Sequence, residues 1–384
     1  MVKPALKLLL TWLLLATPAA APLEAQDALT LAPFAARQLA PGVHLLATPS
    51  DFLGPAISNV AIIEQRDGMV VIDSGATVAH GRAIVTYIRS ITRKPVKAVV
   101  ITHWHNDHPL GVSALRDAWP RLRVIATPQT RAGLLGPAST SVGLAWDERY
   151  ETFVLNQLAG TQARIRARRA DPANSDEERA RYDRMAREME NFGRGYRGTI
   201  LVLPTETFTR ELLIDDDERP VRLMFLGRAN TEGDAVAWLP RQRIVATGDI
   251  VVAPTPFGFF SFPESWIGVL GRLKALDFAL LIPGHGEPMT DSAYLDRLIA
   301  TINDIRAQVG PLARQGLSLD EVRGRVDFSG QTAIFGTTPR LRSTFEGYWL
   351  TPMVENAWRE ARGDPIIQGG GDTTPNSVNR QRRN

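Results

Sequence analysis

The 384-residue chain contains no cysteine. That absence excludes disulfide staples, thiolate metal sites, cysteine nucleophiles and a lipidated N-terminal cysteine. It also lacks an excess of either charge. With 44 Lys and Arg against 41 Asp and Glu, a formal +3, no electrostatic case arises for nucleic acid as a partner. Long apolar runs are missing too: beyond the N-terminus none reaches the roughly 18 residues of a membrane span. Histidine is scarce, at six residues. What is present is ordinary globular composition, 44% hydrophobic and 22% charged, enough to bury a sizeable core.

Residues 1–25 read as a secretory signal peptide. Lys3 and Lys7 precede the apolar core LLLTWLLLA (8–16), Pro18 and Pro22 end the helical run, and cleavage is expected after Ala25. The expectation is a periplasmic or secreted protein with no membrane segment after signal removal.

The mature chain alternates strand-like runs and helices. Residues 43–48, 59–64, 69–75, 96–103 and 123–128 are short, β-branched and bounded by Gly, Pro or Asp. Helices are expected at 78–90 and from about 110. Residues 136–198 form a helical insertion rich in Arg, Glu and Ala, broken at DPANSDEE (171–178). Strands resume at 199–204, 206–212, 221–227, 235–240 and 243–249, and at 279–286 after a helix. The remainder reads as helices: 292–314, a capped start at Ser318-x-x-Glu321, and another opened by Thr351-Pro352. The expected layout is a signal peptide (1–25), a main domain (26–300), a C-terminal helical extension (301–367) and a polar disordered tail (368–384).

Chemistry concentrates in Thr102-His103-Trp104-His105-Asn106-Asp107-His108. Three of the six histidines and an aspartate sit in one short segment after an apolar strand. A strand delivering the chain to a loop lets His103 and His105 project to one side. Neutral imidazole and carboxylate suit zinc and other first-row divalent ions.

With Asp73 after VVI, Asp249 in ATGD and His285 in PGHG, this motif resembles the metallo-β-lactamase superfamily over about residues 42–300. The resemblance implies an α/β fold, a four-layer αββα sandwich with metals at one edge, here with a helical insertion and C-terminal helices. It implies that His103, His105 and position 230 hold a first metal and that Asp107, His108 and His285 hold a second. Asp249 is shared between them, and Asp73 supports the ligands from behind. One position departs from the pattern. In GRANTEGD (227–234), Asn230 stands where the family has a ligand histidine, and an amide oxygen is a harder donor than imidazole.

The implied cofactor is Zn2+, one ion or two, with another divalent metal accommodated at the first site. Zinc lowers the pKa of its water to about 7, so the implied reaction is hydrolysis of an ester, thioester, lactone or amide, β-lactams included. Asp107 is the candidate catalytic residue. The aromatic run PTPFGFFSFPESW (254–266) offers Phe257, Phe259, Phe260 and Trp266 as a pocket for a small-molecule substrate, with Arg228 as a contact for an anionic one. The competing reading is a non-catalytic or weakly active metal-binding relative with a degenerate first site. Nothing in the sequence specifies an oligomeric state.

Overall fold

The computed structural model describes residues 31–136, 148–259 and 261–366. The expected signal peptide, the tail from 368 and Phe260 lie outside the described residues. Strands β1 (Ala35–Ala40), β2 (Val43–Ala47), β3 (Val60–Glu64), β4 (Met69–Ile72), β5 (Val96–Val100), β6 (Arg123–Ala126) and β7 (Glu206–Thr207) form one sheet in chain order. The first four are antiparallel, and β4 to β7 are parallel. Parallel neighbours need crossovers. These are α1 (Val78–Ile91) between β4 and β5, α2 (Val112–Ala118) between β5 and β6, and the helices of residues 128–196 between β6 and β7.

The second sheet holds β8 (Glu211–Ile214), β9 (Val221–Phe225), β10 (Ala235–Leu239), β11 (Ile244–Ala246) and β12 (Leu280–Ile282), in the order β12-β11-β10-β9-β8. Only β11 and β12 are parallel, joined through a helix over Pro263–Ala275.

Alternation along the strands explains the layering. Ala61, Ile63, Val70 and Ile72 face inward against Leu223, Ala237, Leu239 and Ala246 of the other sheet. Their neighbours Val60, Ile62, Met69 and Val71 face outward and pack on Ile84 and Ile88 of α1 and Leu115 of α2. The outer face of the second sheet, with Val236, Trp238, Val245 and Leu281, is covered by helices from the C-terminal half. A sheet buried on both faces reads as a nearly continuous apolar run, as β3 to β5 do. The result is the expected helix–sheet–sheet–helix arrangement.

The insertion is a helical pair, α4 (Glu148–Arg169) and α5 (Asp176–Tyr196), after α3 (Pro128–Leu135). The break falls within 171–178, where Ser175 and Glu178 form a capping box. The C-terminal half carries α6 (Pro263–Ala275), α7 (Ala293–Arg314), α8 (Leu319–Arg323), α9 (Ser329–Phe335), α10 (Pro339–Phe345) and α11 (Thr351–Arg362).

Three expectations need correction. Residues 199–204 form no strand: Pro204 has no N–H to give a ladder, and pairing with β6 begins only at Thr205, whose N–H donates to the Val124 carbonyl. The run 206–212 divides between β7 and β8, which lie in different sheets. The boundary at 300 falls inside α7, whose Leu298 and Ile302 belong to one buried cluster with Val236 and Trp238 of β10, so the extension shares the main core.

Candidate metal centre

Every histidine and aspartate of the proposed centre follows the carboxyl end of a strand with a parallel neighbour. Asp73 comes after β4, His103, His105, Asp107 and His108 after β5, Asp249 after β11 and His285 after β12. This is the edge where open α/β sheets place their ligands. Asp73 adopts a left-handed backbone, φ 60°, and Gly248 has φ 50°; these sharp turns aim the two carboxylates back into the sheet edge.

Two clusters result. His103, His105 and Asp249 form one, and Asp107, His108 and His285 the other; in each, the ligand-type atoms lie within 4.8 Å of one another. Asp249 connects them. Its Oδ2 is 3.6 Å from His103 Nε2 and 4.0 Å from His105 Nδ1, whereas its Oδ1 is 3.3 Å from His108 Nε2 and 3.5 Å from His285 Nε2. One carboxylate thus presents an oxygen to each set. Asp107 Oδ2 lies 2.9 Å from His285 Nε2 and 3.7 Å from His108 Nε2.

Behind the cluster, Asp73 accepts hydrogen bonds from the Thr102 N–H at 2.9 Å and the Thr102 hydroxyl at 2.8 Å, and its Oδ2 is 2.8 Å from His108 Nδ1. The Thr102 hydroxyl also sits 3.1 Å from His103 Nδ1. With Nδ1 tied to a carboxylate, the His108 lone pair is left on Nε2, which faces the other ligand atoms. Asn59 donates to the Pro283 and Gly286 carbonyls at 3.0 and 2.8 Å, fixing the loop that carries His285.

The electrostatics are those of a site built for cations. Burial pushes the Asp249 carboxyl up, but the His108, His285 and His103 imidazoles outweigh it and hold the group well below its ordinary range. Asp107 is likewise held low by His108 and His285 against the cost of burial. Burial depresses His108, yet the carboxylates of Asp249, Asp73 and Asp107 raise it well above the usual imidazole value. His285 is raised by Asp249 and Asp107 against burial. His103 and His105 go the other way, lowered by burial and by a neighbouring imidazole.

The donor set fits a pair of divalent metals. His103 Nε2, His108 Nε2 and Asp249 Oδ1 are buried without a hydrogen-bond partner, a costly state for polar atoms unless a ligand satisfies them. Both amide atoms of the fully buried Asn230 are in the same condition. Asn230 lies beside the His105 cluster: a Cβ on Gly258 would come within 2.2 Å of its Oδ1, and Phe259, the next residue, packs edge-on to His105 at 6.3 Å between ring centres.

The centre opens into a cavity of about 760 Å3. His105, Asp107 and His285 form its floor, and Phe52, Ile57, Phe257, Phe259 and Tyr348 its largely apolar walls. Of the aromatic run, Phe257 and Phe259 therefore reach the cavity. Trp266 does not; it is 1% exposed, donates from its indole to the Ile250 carbonyl at 3.1 Å, and packs in the core against Trp349. Arg228 also points elsewhere, lying over the Phe262 ring at 4.5 Å. The remaining histidines are structural: His44 pairs with the Tyr87 hydroxyl at 3.0 Å, and His80 with the Thr77 hydroxyl at 2.7 Å. Sequence reasoning missed Asn59, Phe52, Ile57 and Tyr348. None lies in a local motif, and the one available signal is the adjacent pair Tyr348-Trp349, which cannot both face one core.

The family described as Metallo-beta-lactamase superfamily matches residues 53–285, a span that includes both ligand clusters. The linear primary-alkylsulfatase of Pseudomonas sp. (strain ATCC 19151) is 25% identical over 299 residues, covering 74% of this chain and 52% of that protein. Among solved structures, the stereoselective inverting sec-alkylsulfatase Pisa1 from Pseudomonas sp. aligns with a TM-score of 0.55 and 16% identity, over 90% of this chain and 52% of that one. That likeness speaks for the fold alone. The chain spans about half the length of these two relatives.

Proposed function

The chain belongs to the metallo-beta-lactamase superfamily, and from that premise we propose that it is a metal-dependent hydrolase of anionic esters of apolar alcohols, alkyl sulfates foremost. The observation that carries the reading is the Asp249 carboxylate shared between two His/Asp clusters at the floor of an aromatic cavity. The ions are divalent, zinc foremost, and when bound they supply an activated water at neutral pH and polarise the ester.

The residues of the chain then have separate tasks. The imidazoles, Asp107 and Asp249 would hold the ions, and Asp73 would keep His108 in the tautomer that can bind one. Asp107, which also faces the cavity, would accept a hydrogen bond from the attacking water and orient it. Two divalent ions against Asp73, Asp107 and Asp249 leave the floor with an excess of one positive charge, which suits a monoanionic group. Arg340 on the cavity rim has no acidic partner among the described residues, so it adds to the field that draws such an anion in. The aromatic walls exclude water from the organic portion. The linear alkylsulfatase relative lends the sulfate class its support. Export, argued from residues 1–25 alone, belongs to this proposal as well.

The test is release of inorganic sulfate, followed by ion chromatography, from primary and secondary alkyl sulfates by zinc-loaded protein. Acetate esters, thioesters, lactones and a chromogenic β-lactam serve as competing classes. Sulfate release that disappears in Asp107→Ala supports the reading. Turnover of none of these bonds by protein carrying its full metal complement overturns it.

Asn230 favours a second reading, a weakly active relative whose first metal site is degraded. Elemental analysis of protein purified without added metal, compared with Asn230→His, separates the two. A single ion per chain that becomes two in Asn230→His, with a large gain in activity, marks the asparagine as a defect.

A further inference from the structure

Helix α10 does not stop at Phe345. It continues through a π-helical segment, Glu346–Leu350, directly into α11, so that one unbroken helical path runs over 339–362. The widened turn is tied by Thr351, whose backbone N–H and hydroxyl both bond the Glu346 carbonyl, the latter at 2.6 Å. The helix expected from Thr351-Pro352 is α11 itself, entered without a break from the π turn.

The extra residue solves a register problem. Phe345, Trp349, Met353 and Ala357 recur at every fourth position, and all four are buried, at 0, 0, 0 and 3% exposure. In a regular helix of about 3.6 residues per turn each such step drifts by about 40°, or about 120° over three steps. Absorbing one residue in a wide turn removes about 100° of that drift, so the whole row stays on the core. The opposite consequence is at Tyr348, which is 39% exposed and turned toward the metal cavity with Arg340, Leu341 and Thr344.

Tyr348 meets the aromatic loop there. Its ring stacks on Phe257 at 5.6 Å and 25° and meets Phe259 edge-on at 5.6 Å, while its carbonyl accepts the Gly258 N–H at 3.2 Å. Phe259 in turn touches His105. An apolar wall thus runs without a break from a metal-ligand imidazole through Phe259 to Tyr348, with Phe52 and Ile57 also lining the cavity.

We infer that Tyr348, presented by the π turn, is a specificity-determining residue that selects substrates whose reacting ester carries an extended alkyl chain. The chain lies along Phe259, Phe257 and Tyr348 while the anionic head sits at the metal centre. The inference rests on the proposed hydrolysis of alkyl esters and assigns the chain-length preference to the C-terminal helices.

The experiment measures binding of non-hydrolysable butyl, hexyl, octyl and decyl sulfonates, below micelle-forming concentrations, to zinc-loaded protein by calorimetry. Each added methylene buried in the cavity should tighten binding about fourfold. In Tyr348→Ala the total gain from butyl to decyl should shrink by about tenfold or more, and Tyr348→Phe should restore it, since the ring does the packing. Equal chain-length dependence in wild type and Tyr348→Ala, or none in wild type, overturns the inference. Sulfate release from decyl sulfate is scored separately on the same protein. Chain-length-dependent binding without release refutes the sulfatase reading and leaves the chain wall standing; release without chain-length dependence does the reverse.

Discussion

Replacing Asp73 by Asn tests whether the carboxylate behind the ligands sets the state of His108. The substitution is chosen for the backbone: Asp73 has φ 60°, and Asn tolerates the left-handed region better than other side chains except Gly. Asp73 accepts three hydrogen bonds, two from Thr102 and one from His108 Nδ1. An amide has one accepting oxygen. If that oxygen keeps the Thr102 N–H, the NH2 replaces Oδ2 and points at His108 Nδ1. The imidazole must then accept at Nδ1 and carry its proton on Nε2, the atom facing Asp249 Oδ1 at 3.3 Å, where a metal needs a lone pair.

Loss of the Asp73 charge also lowers the His108 pKa, which eases displacement of its proton, but a proton placed on the coordinating nitrogen outweighs that gain. The expected loss of affinity is about 10–100-fold at the Asp107, His108 and His285 cluster, or about 1.4–2.7 kcal/mol. The His103 cluster feels Asp73 through the Thr102 hydroxyl and the weaker pull of its charge on His103, and should lose less than about tenfold. Competition against a chromogenic chelator at pH 7.5 reads both constants, and melting of the metal-free protein checks the fold. Two ions bound at wild-type affinity by a folded Asp73→Asn protein would refute the argument.

Two further outcomes follow from the packing. A Cβ on Gly284 would lie 2.0 Å from Asp249 Oδ1 and 2.7–2.8 Å from the backbone at 248–249, so Gly284→Ala should displace the shared carboxylate. Metal content by elemental analysis should fall below that of wild type; full content in both would show that the loop yields without cost. Burial without a charge partner holds His80 down to about 3, whereas the unfolded chain takes up that proton near 6.5. Stability from this group is therefore complete above pH 6.5 and lost as pH falls toward 3. The loss is about 1.4 kcal/mol per unit, or about 2 kcal/mol between pH 6.5 and 5. Urea unfolding of metal-free wild type and His80→Asn at pH 7.5 and 5.0 measures the difference, and parallel pH dependence of the two proteins would contradict it.

The amino-acid sequence by itself determined the layered α/β class, because strands buried on both faces must be written as apolar β-branched runs and crossovers as amphipathic helices. It also marked His103, His105, Asp107 and His108, since a loop of few residues keeps its ligands adjacent whatever the rest of the chain does. Asp249 and His285 were legible only as strand-end motifs of a resemblance. Tertiary structure alone decided the rest. The Asp249 carboxylate is divided between two clusters because the ends of β5 in one sheet and of β11 and β12 in the other converge at one edge of the sandwich. The aromatic loop has no period to say which ring turns inward, so Phe257 and Phe259 reach the cavity while Trp266 joins the core. The cavity wall is finished by Tyr348, distant in sequence from every ligand, because a single widened helical turn lets one face of the helix stay on the core and the next face the metals. Local sequence records what a residue can do, and only packing of remote segments settles what it meets.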